Sequence, residues 1–375
     1  MKSRSKKGGK FIILFFCLFV INNALAASPS EGLLKAKEQA EARGYIFEKS
    51  RDTIIDKAKK EGKLRALISL DPPTISSLAQ AFREKYPFLE VHVQETTGRE
   101  TSERFLLELQ SGRATNWDVS HLSLDAYADY LRHGKRVDLL AMAEQGVLAI
   151  PPKMIDPNNR NVIAAASLVG VVGFNQCILQ PSKVPQDWED FLKPELKGRK
   201  FIADVRPLNY AAMAAGAGEE WMVRYAKRIA AQGPVWFRGT ARATIAMIAG
   251  EYALHSSTTY NSIVGAADKD PRGCLQAKLV EPVPVRLGEP QMVLEESVNP
   301  NAGVLWLEFM ASPTAQRIID QKEPYKSSIY APGAALEKII RGKKTWVLGW
   351  NHFEKSPKWI QMAIEAFGFP QAESK

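Results

Sequence analysis

Three short polar segments carry the residues best suited to holding a small molecule: Ser69-Leu70-Asp71-Pro72-Pro73, Thr96-Thr97-Gly98-Arg99 and Ser120-His121-Leu122-Ser123. Each follows an apolar run that reads as a strand. Two of them lead directly into helix N-termini, where free backbone N–H groups favour anions. Further along, Arg206 follows the short apolar run Phe201–Ala203, Arg238 and Thr240 follow Val235–Phe237, and the cluster SSTTYN (256–261) ends in Tyr260 and Asn261. Arginines and helix N-termini hold an anionic group through charge-assisted hydrogen bonds. Hydroxyls and amides add neutral donors and acceptors. This chemistry binds; it does not break bonds. The competing account of any one of these residues is that loops after strands are polar anyway.

Bond-breaking constellations are missing from the sequence. It has no G-x-S-x-G elbow, no H-E-x-x-H and no Walker sequence. Gly216-Ala217-Gly218 fails the dinucleotide fingerprint, because Trp221 stands where the final glycine belongs. The five histidines, at 92, 121, 133, 255 and 352, are scattered. A binding protein without a cofactor is therefore the leading expectation, and an enzyme on the same fold the lesser one.

The chain has 375 residues, and its 45% apolar content is enough for a packed core of one large or two medium domains. Net charge is +9, but the first 26 residues carry five of these charges and no acid, which leaves +4. No basic patch interleaved with aromatics remains, so nucleic acid is not an expected partner. Those first residues have a basic segment, the apolar run Phe11–Ile21 and the sequence Ala24-Leu25-Ala26, the three parts of a cleavable secretory signal. The run is short for a retained membrane anchor. Export leaves Cys177 and Cys274 in an oxidising compartment, which permits a disulfide without establishing one.

The elements that position these residues alternate. Ser50 caps a helix over Asp52–Glu61, after a polar helix over Ala27–Gly44 that reads as a loosely attached arm. From Lys63 the pattern is β-α-β-α-β. Ile75, Leu78, Ala79 and Phe82 stripe one helix, and Leu89, Val91 and Val93 alternate along the next strand. This argues for a parallel sheet with right-handed crossovers. Val162–Asn175 is small, apolar and β-branched, suited to one long strand passing between two lobes. The stretch PQDWEDFLKPELKGRKFIADVRP (185–207) reads as a short helix, a turn and a buried strand ending at Asp204 and Arg206. Leu279–Val285 holds two prolines and is expected as an edge or crossover strand. The aromatic-rich tail, from Trp346 to Phe367, is expected to pack on a lobe.

Several pieces in order carry a family resemblance: AKKEGK (58–63), SLDPPTISSLAQAFREKYP (69–87), WEDFLKPELKGRKF (188–201), AGEYAL (249–254), NPNAGVLWLEFMASPTAQ (299–316) and GWNHFEKSP (349–357). The chain resembles the periplasmic substrate-binding proteins of ABC transporters, in the extracellular solute-binding branch that includes ferric-iron binders. The resemblance implies an α/β, type 2 periplasmic binding fold. Each lobe would be a mixed sheet flanked by helices, and two crossover strands would join them. It places a signal peptide at 1–26, a helical arm at 27–61, one lobe at 62–168 and 284–375, and the other at 169–283. It implies lobes that close on a ligand and hand it to a membrane permease, without catalysis; the arginines and helix N-termini, not the resemblance, point to a small polar, anionic solute, and a monomer is expected.

On that reading the ligand sits between Ser69, Asp71, Thr97, Arg99 and Ser120 on one lobe and Arg206, Arg238, Thr240, Tyr260 and Asn261 on the other. Each arginine could instead be a solvated surface residue or part of an ion pair between lobes. Related ferric binders use adjacent tyrosines where this chain has Thr258-Thr259-Tyr260-Asn261. Their histidine falls near Asp71 and their glutamate near Ser123. A ferric or iron-chelate ligand held by Tyr260 and Asp71 is therefore the alternative.

Overall fold

The computed structural model describes residues 31–96, 98–114 and 116–369. The expected leader, Thr97 and the side chain of Arg99 lie outside that set. Ten strands form the frame: β1 (Lys63–Ile68), β2 (Glu90–Glu95), β3 (Val119–His121), β4 (Val162–Asn175), β5 (Ile202–Asp204), β6 (Val235–Phe237), β7 (Leu254–Thr259), β8 (Leu275–Lys278), β9 (Val283–Val293) and β10 (Thr345–Leu348). The main order is β2-β1-β3-β9-β4-β7-β5-β6, with β10 on β9 and β8 on β4. β1 runs parallel to β2 and β3, and β5 parallel to β6 and β7. β4 is the long crossing strand: it pairs antiparallel with β9 from Val162 to Val169, then with β7 and β8 from Gly170 to Asn175. The expected mixed α/β architecture is the observed one.

The helix Pro72–Lys85 shows how pattern becomes packing. Prolines in its first turn have the backbone angle a helix needs and no N–H to waste. The predicted stripe of Ile75, Leu78, Ala79 and Phe82 is buried. Phe82 meets Trp306 edge-on at 5.1 Å and Phe309 at 5.3 Å between ring centroids. Burying each such side chain contributes about 1.5–3 kcal/mol. The helix ends at Tyr86, before Pro87, which cannot continue it.

Four sequence expectations are revised. The leading helix, Glu31–Ala42, is not loose at its C-terminal end: Ala40 is buried, and Arg136 lies 4.2 Å over the Tyr45 ring. Leu279–Val285 belongs to no edge. β9 begins at Val283 and is buried along its whole length, between β3 and β4. Burial of that strand on both faces outweighs the N–H donors missing at Pro284 and Pro290, each worth about 1 kcal/mol. Pro290 still accepts from the Leu122 N–H at 2.8 Å. The turn at Trp188–Leu192 is 3₁₀ rather than α, closed by a reciprocal Asp187/Asp190 cap. Finally, the tail packs beyond the lobe assigned to it. Trp359, Ala363 and Phe367 of the helix Ser356–Phe367 join the core around Tyr210, Met213 and Tyr225. The stripe was visible in sequence; which surface would receive it was not.

Cys177 and Cys274 form a disulfide, with Cα atoms 5.3 Å apart. It ties the segment after β4 to the start of β8. Among the described residues no helix is long and apolar enough to cross a membrane.

Candidate functional site

Two adjoining cavities lie where the strand ends face one another. The larger, about 420 Å³, is lined from one side by Ser69 after β1, by Thr96 and Ser102, and by His121 and Ser123 at the end of β3. Its floor is the β9 run Arg286, Gly288, Glu289 and Pro290, and Leu208 and Ile360 close the opposite side. The smaller, about 80 Å³, is lined by Arg206, Asn209, Thr240 and the β7 residues Ser256 to Thr259. Leu208 and Arg286 line both.

The small cavity is built to hold negative charge. The helices Leu208–Ala217 and Thr240–Ala249 begin at its wall, and neither has a side-chain cap. Their first N–H groups are therefore free of side-chain acceptors, at the positive ends of the helix dipoles. Gly239 precedes the second helix with φ of 88°, and a Cβ there would come within 3.2 Å of Arg206 Nη2. A side chain at 239 would thus be strained and would crowd the guanidinium. Asp204 also lines this cavity: its Oδ1 accepts from the Arg206 N–H at 2.8 Å and the Gly239 N–H at 3.5 Å, and lies 4.0 Å from Arg206 Nε, at the edge of ion-pair range.

Arg286 is the central group. It is 8% exposed, and among the described residues no carboxylate lies within ion-pair distance. Its Nε donates to Asn209 Oδ1 at 3.2 Å, and the Asn209 amide donates in turn to Thr258 O at 3.0 Å and Ser257 Oγ at 3.1 Å. Gly170 leaves room for that amide, since a Cβ there would sit 3.1 Å from Asn209 Nδ2. Burial pushes the Arg286 pKa down to about 10, so the guanidinium stays charged at neutral pH. A buried arginine normally has an acid beside it. Thr258 adds a second unmet group, for its buried hydroxyl has no partner among the described residues.

At the other end of the floor, Glu289 is 6% exposed and adopts φ of 51°, a left-handed conformation uncommon for this residue type. Its Oε1 accepts from the Ser69 N–H at 2.7 Å and the Gln291 amide at 3.3 Å, and lies 3.6 Å from His121 Nδ1. That last distance is within ion-pair range and beyond a hydrogen bond. Burial alone would raise the Glu289 pKa, but His121, the Ser69 N–H and Lys326 hold it below the ordinary carboxylate range.

Of the sequence candidates, Ser69, Arg206 and Thr240 line these cavities. Ser120 is buried beneath the larger one, its hydroxyl donating to His121 O at 2.8 Å. Asp71 is exposed and starts the helix Pro72–Lys85, its N–H donating to Glu323 Oε1 at 3.0 Å. Arg238 is exposed and lines neither cavity. Tyr260 stacks on Tyr325, with centroids 4.5 Å apart and planes 17° from parallel. Asn261 is half-buried beside it in sequence, and its buried Oδ1 lacks a partner among the described residues. Asp71 and Tyr260 are not brought together at either cavity. Arg286, Asn209 and Glu289 escaped the sequence reading. A signal for two of them existed: an arginine and a glutamate flank Leu287-Gly288 inside an otherwise apolar run.

Two α/β lobes joined by long strands, with a polar cleft at the strand ends, define a ligand-binding protein of the periplasmic type. Residues 77–339 match the bacterial extracellular solute-binding proteins, and the chain belongs to that family. No curated protein matches it by sequence. Among solved structures it is similar to a Bordetella ferric binding protein, at 15% identity, covering 82% of this chain and 99% of that one with a TM-score of 0.65. It is also similar to the apo ferric ion-binding protein A of Pasteurella haemolytica, at 15% identity over 83% of this chain and 100% of that one, TM-score 0.64. A substrate binding protein of the ABC transporter from Agrobacterium tumefaciens gives 18% identity, 83% and 96% coverage, and a TM-score of 0.58. At these identities the likeness speaks for the fold.

Proposed function

We propose that this chain is the periplasmic solute-binding component of an ABC importer, and that it captures a small solute bearing an anionic group and delivers it to the permease. One observation carries the choice of an anion: Arg286 is buried at the junction of the two cavities with no carboxylate partner among the described residues. An anionic ligand supplies the missing charge, and the uncapped helix N-termini and Arg206 add to its field. Lobes near 62–168 and 169–283 close on it. The part after 284 begins with the first lobe, and the tail helix reaches across to the second. Residues 1–26 serve as the export signal, and the chain works as a monomer without catalysis.

The ferric binding proteins of similar fold motivate a second ligand class, iron or its chelate. The donor geometry favours the anion. Fe³⁺ prefers several anionic oxygen ligands, whereas Tyr260 is engaged with Tyr325 and neither Tyr260 nor Asp71 lines either cavity. Arg286 and Arg206 oppose a bare cation, although an iron chelate with net negative charge suits them.

Thermal shift of the purified protein against small anions, cations, neutral sugars and ferric citrate tests the reading. A ligand at a hundred times its Kd stabilises the fold by about 2.7 kcal/mol. Anionic compounds should raise the melting temperature, and Arg286→Gln should weaken their binding about tenfold or more. A panel in which only cations or neutral compounds act would overturn the anion, and a visible tyrosinate-to-iron band lost in Tyr260→Phe would restore the ferric reading.

A further inference from the structure

Resting on that reading, we infer that the solute is dipolar: its anionic end meets Arg286, and a cationic ammonium at its other end meets Glu289. The argument starts from the division of labour between the two Glu289 oxygens. All three neighbours, the Ser69 N–H, the Gln291 amide and His121, address Oε1. Oε2 accepts nothing among the described residues, and the residue lines the larger cavity. One oxygen is tied down and the other is left for a ligand.

The backbone supports the same assignment. Glu289 holds a left-handed φ of 51° in the middle of a strand. Such strain costs on the order of 1–3 kcal/mol and persists where the surroundings enforce it, most often at functional sites. Here the enforcement is visible: Trp306 Nε1 donates to Gln291 Oε1 at 3.1 Å, and the Gln291 amide donates to Glu289. Lys326, the lysine on the cavity wall, is paired with Glu323 and makes no ion pair with Glu289 among the described residues, although its field helps keep Glu289 ionised.

Arg286 and Glu289 are three residues apart on β9, so their Cα atoms are separated by about 10 Å along the strand. The small cavity at the arginine end suits a compact oxyanion, carboxylate or phosphonate in size. The larger cavity suits a spacer and the second charge. This favours solutes whose ammonium and oxyanion lie several bonds apart over α-amino acids. The field along the cleft, positive at the β5–β7 end and negative at Glu289, orients such a molecule in one direction.

Titration calorimetry decides this with ω-aminoalkyl phosphonates and ω-amino carboxylates of increasing chain length, each compared with its amine-free counterpart. At the best length the amine-bearing compound should bind about tenfold tighter, the effect of one charge-assisted hydrogen bond. Glu289→Gln keeps an oxygen for the Ser69 N–H and should erase that ratio, bringing the amine-bearing compound to the affinity of its amine-free counterpart on the same variant. If the amine-free compounds bind the unaltered protein as tightly as the amine-bearing ones, or if Glu289→Gln preserves the ratio, the role of Glu289 is refuted and the anion reading stands. If no compound of either kind binds, both fall. The comparison on the unaltered protein decides the matter even where the variant does not fold.

Discussion

His255 sits on β7, 1% exposed, with its Nδ1 accepting from the Ser257 N–H at 3.3 Å. Burial pushes its pKa down from 6.5 to about 4. In the unfolded chain the imidazole takes up a proton near its ordinary pKa, while the folded protein refuses it until about pH 4. The contribution to stability is thus intact above pH 6.5 and is lost as pH falls from 6.5 to 4. Its full size is roughly 3 kcal/mol. Melting temperatures should fall across this window, and less steeply in His255→Gln, whose side chain does not titrate. Equal slopes for the two proteins would place the acid sensitivity elsewhere. The polar end of β7 would then keep its geometry but lose its part in the response to pH.

Among elements, the helix Leu208–Ala217 carries two duties. Its start walls the small cavity, and its Gly216 faces the Trp346 ring of β10 so closely that a Cβ there would overlap the indole. Trp346 cannot retreat easily, because it packs against Trp221 at 5.2 Å and β10 is paired with β9. Gly216→Ala should therefore destabilise the protein by roughly 1–3 kcal/mol, read by denaturant unfolding. Because the helix also carries Asn209, the same variant should loosen anion binding. A variant as stable as the parent would mean that the indole has another place to go. The contrast with Phe82→Ala is useful: that change opens a cavity in the distant core and should cost about 3–5 kcal/mol with little effect on affinity in the protein that remains folded.

At the scale of the whole molecule, β4 pairs with β9 along its first half and with β7 and β8 along its second, and so joins the two parts of the sheet. A narrow connection of this kind permits a hinge. Saturating anionic solute should reduce the radius of gyration in small-angle scattering, and an unchanged profile would speak for a rigid cleft. Closure would bring the Arg206 and Thr240 loops toward Ser69 and His121, completing the contacts that the two ends of the solute demand.

Much of the frame was legible in the chain itself. Periodicity located the helix Pro72–Lys85, the three strands that begin the sheet and the unbroken crossing strand Val162–Asn175, because burial on one or two faces leaves a repeat of fixed period. The same logic found Ser69, Arg206 and Thr240, which follow strands and precede helices. It could not find Arg286, Asn209 or Glu289. A charged residue inside an apolar strand looks like a flaw until one knows what faces it. Only the packing of other elements around β9 buries Arg286 and Glu289, and only the approach of the helix Leu208–Ala217 gives Arg286 an amide in place of an acid. Likewise nothing local distinguishes Tyr260 as a ligand from Tyr260 as a stacking partner; Tyr325, remote in sequence, decides it. Local pattern is written by each residue's own burial, whereas a binding site is written by contacts between segments far apart in the chain.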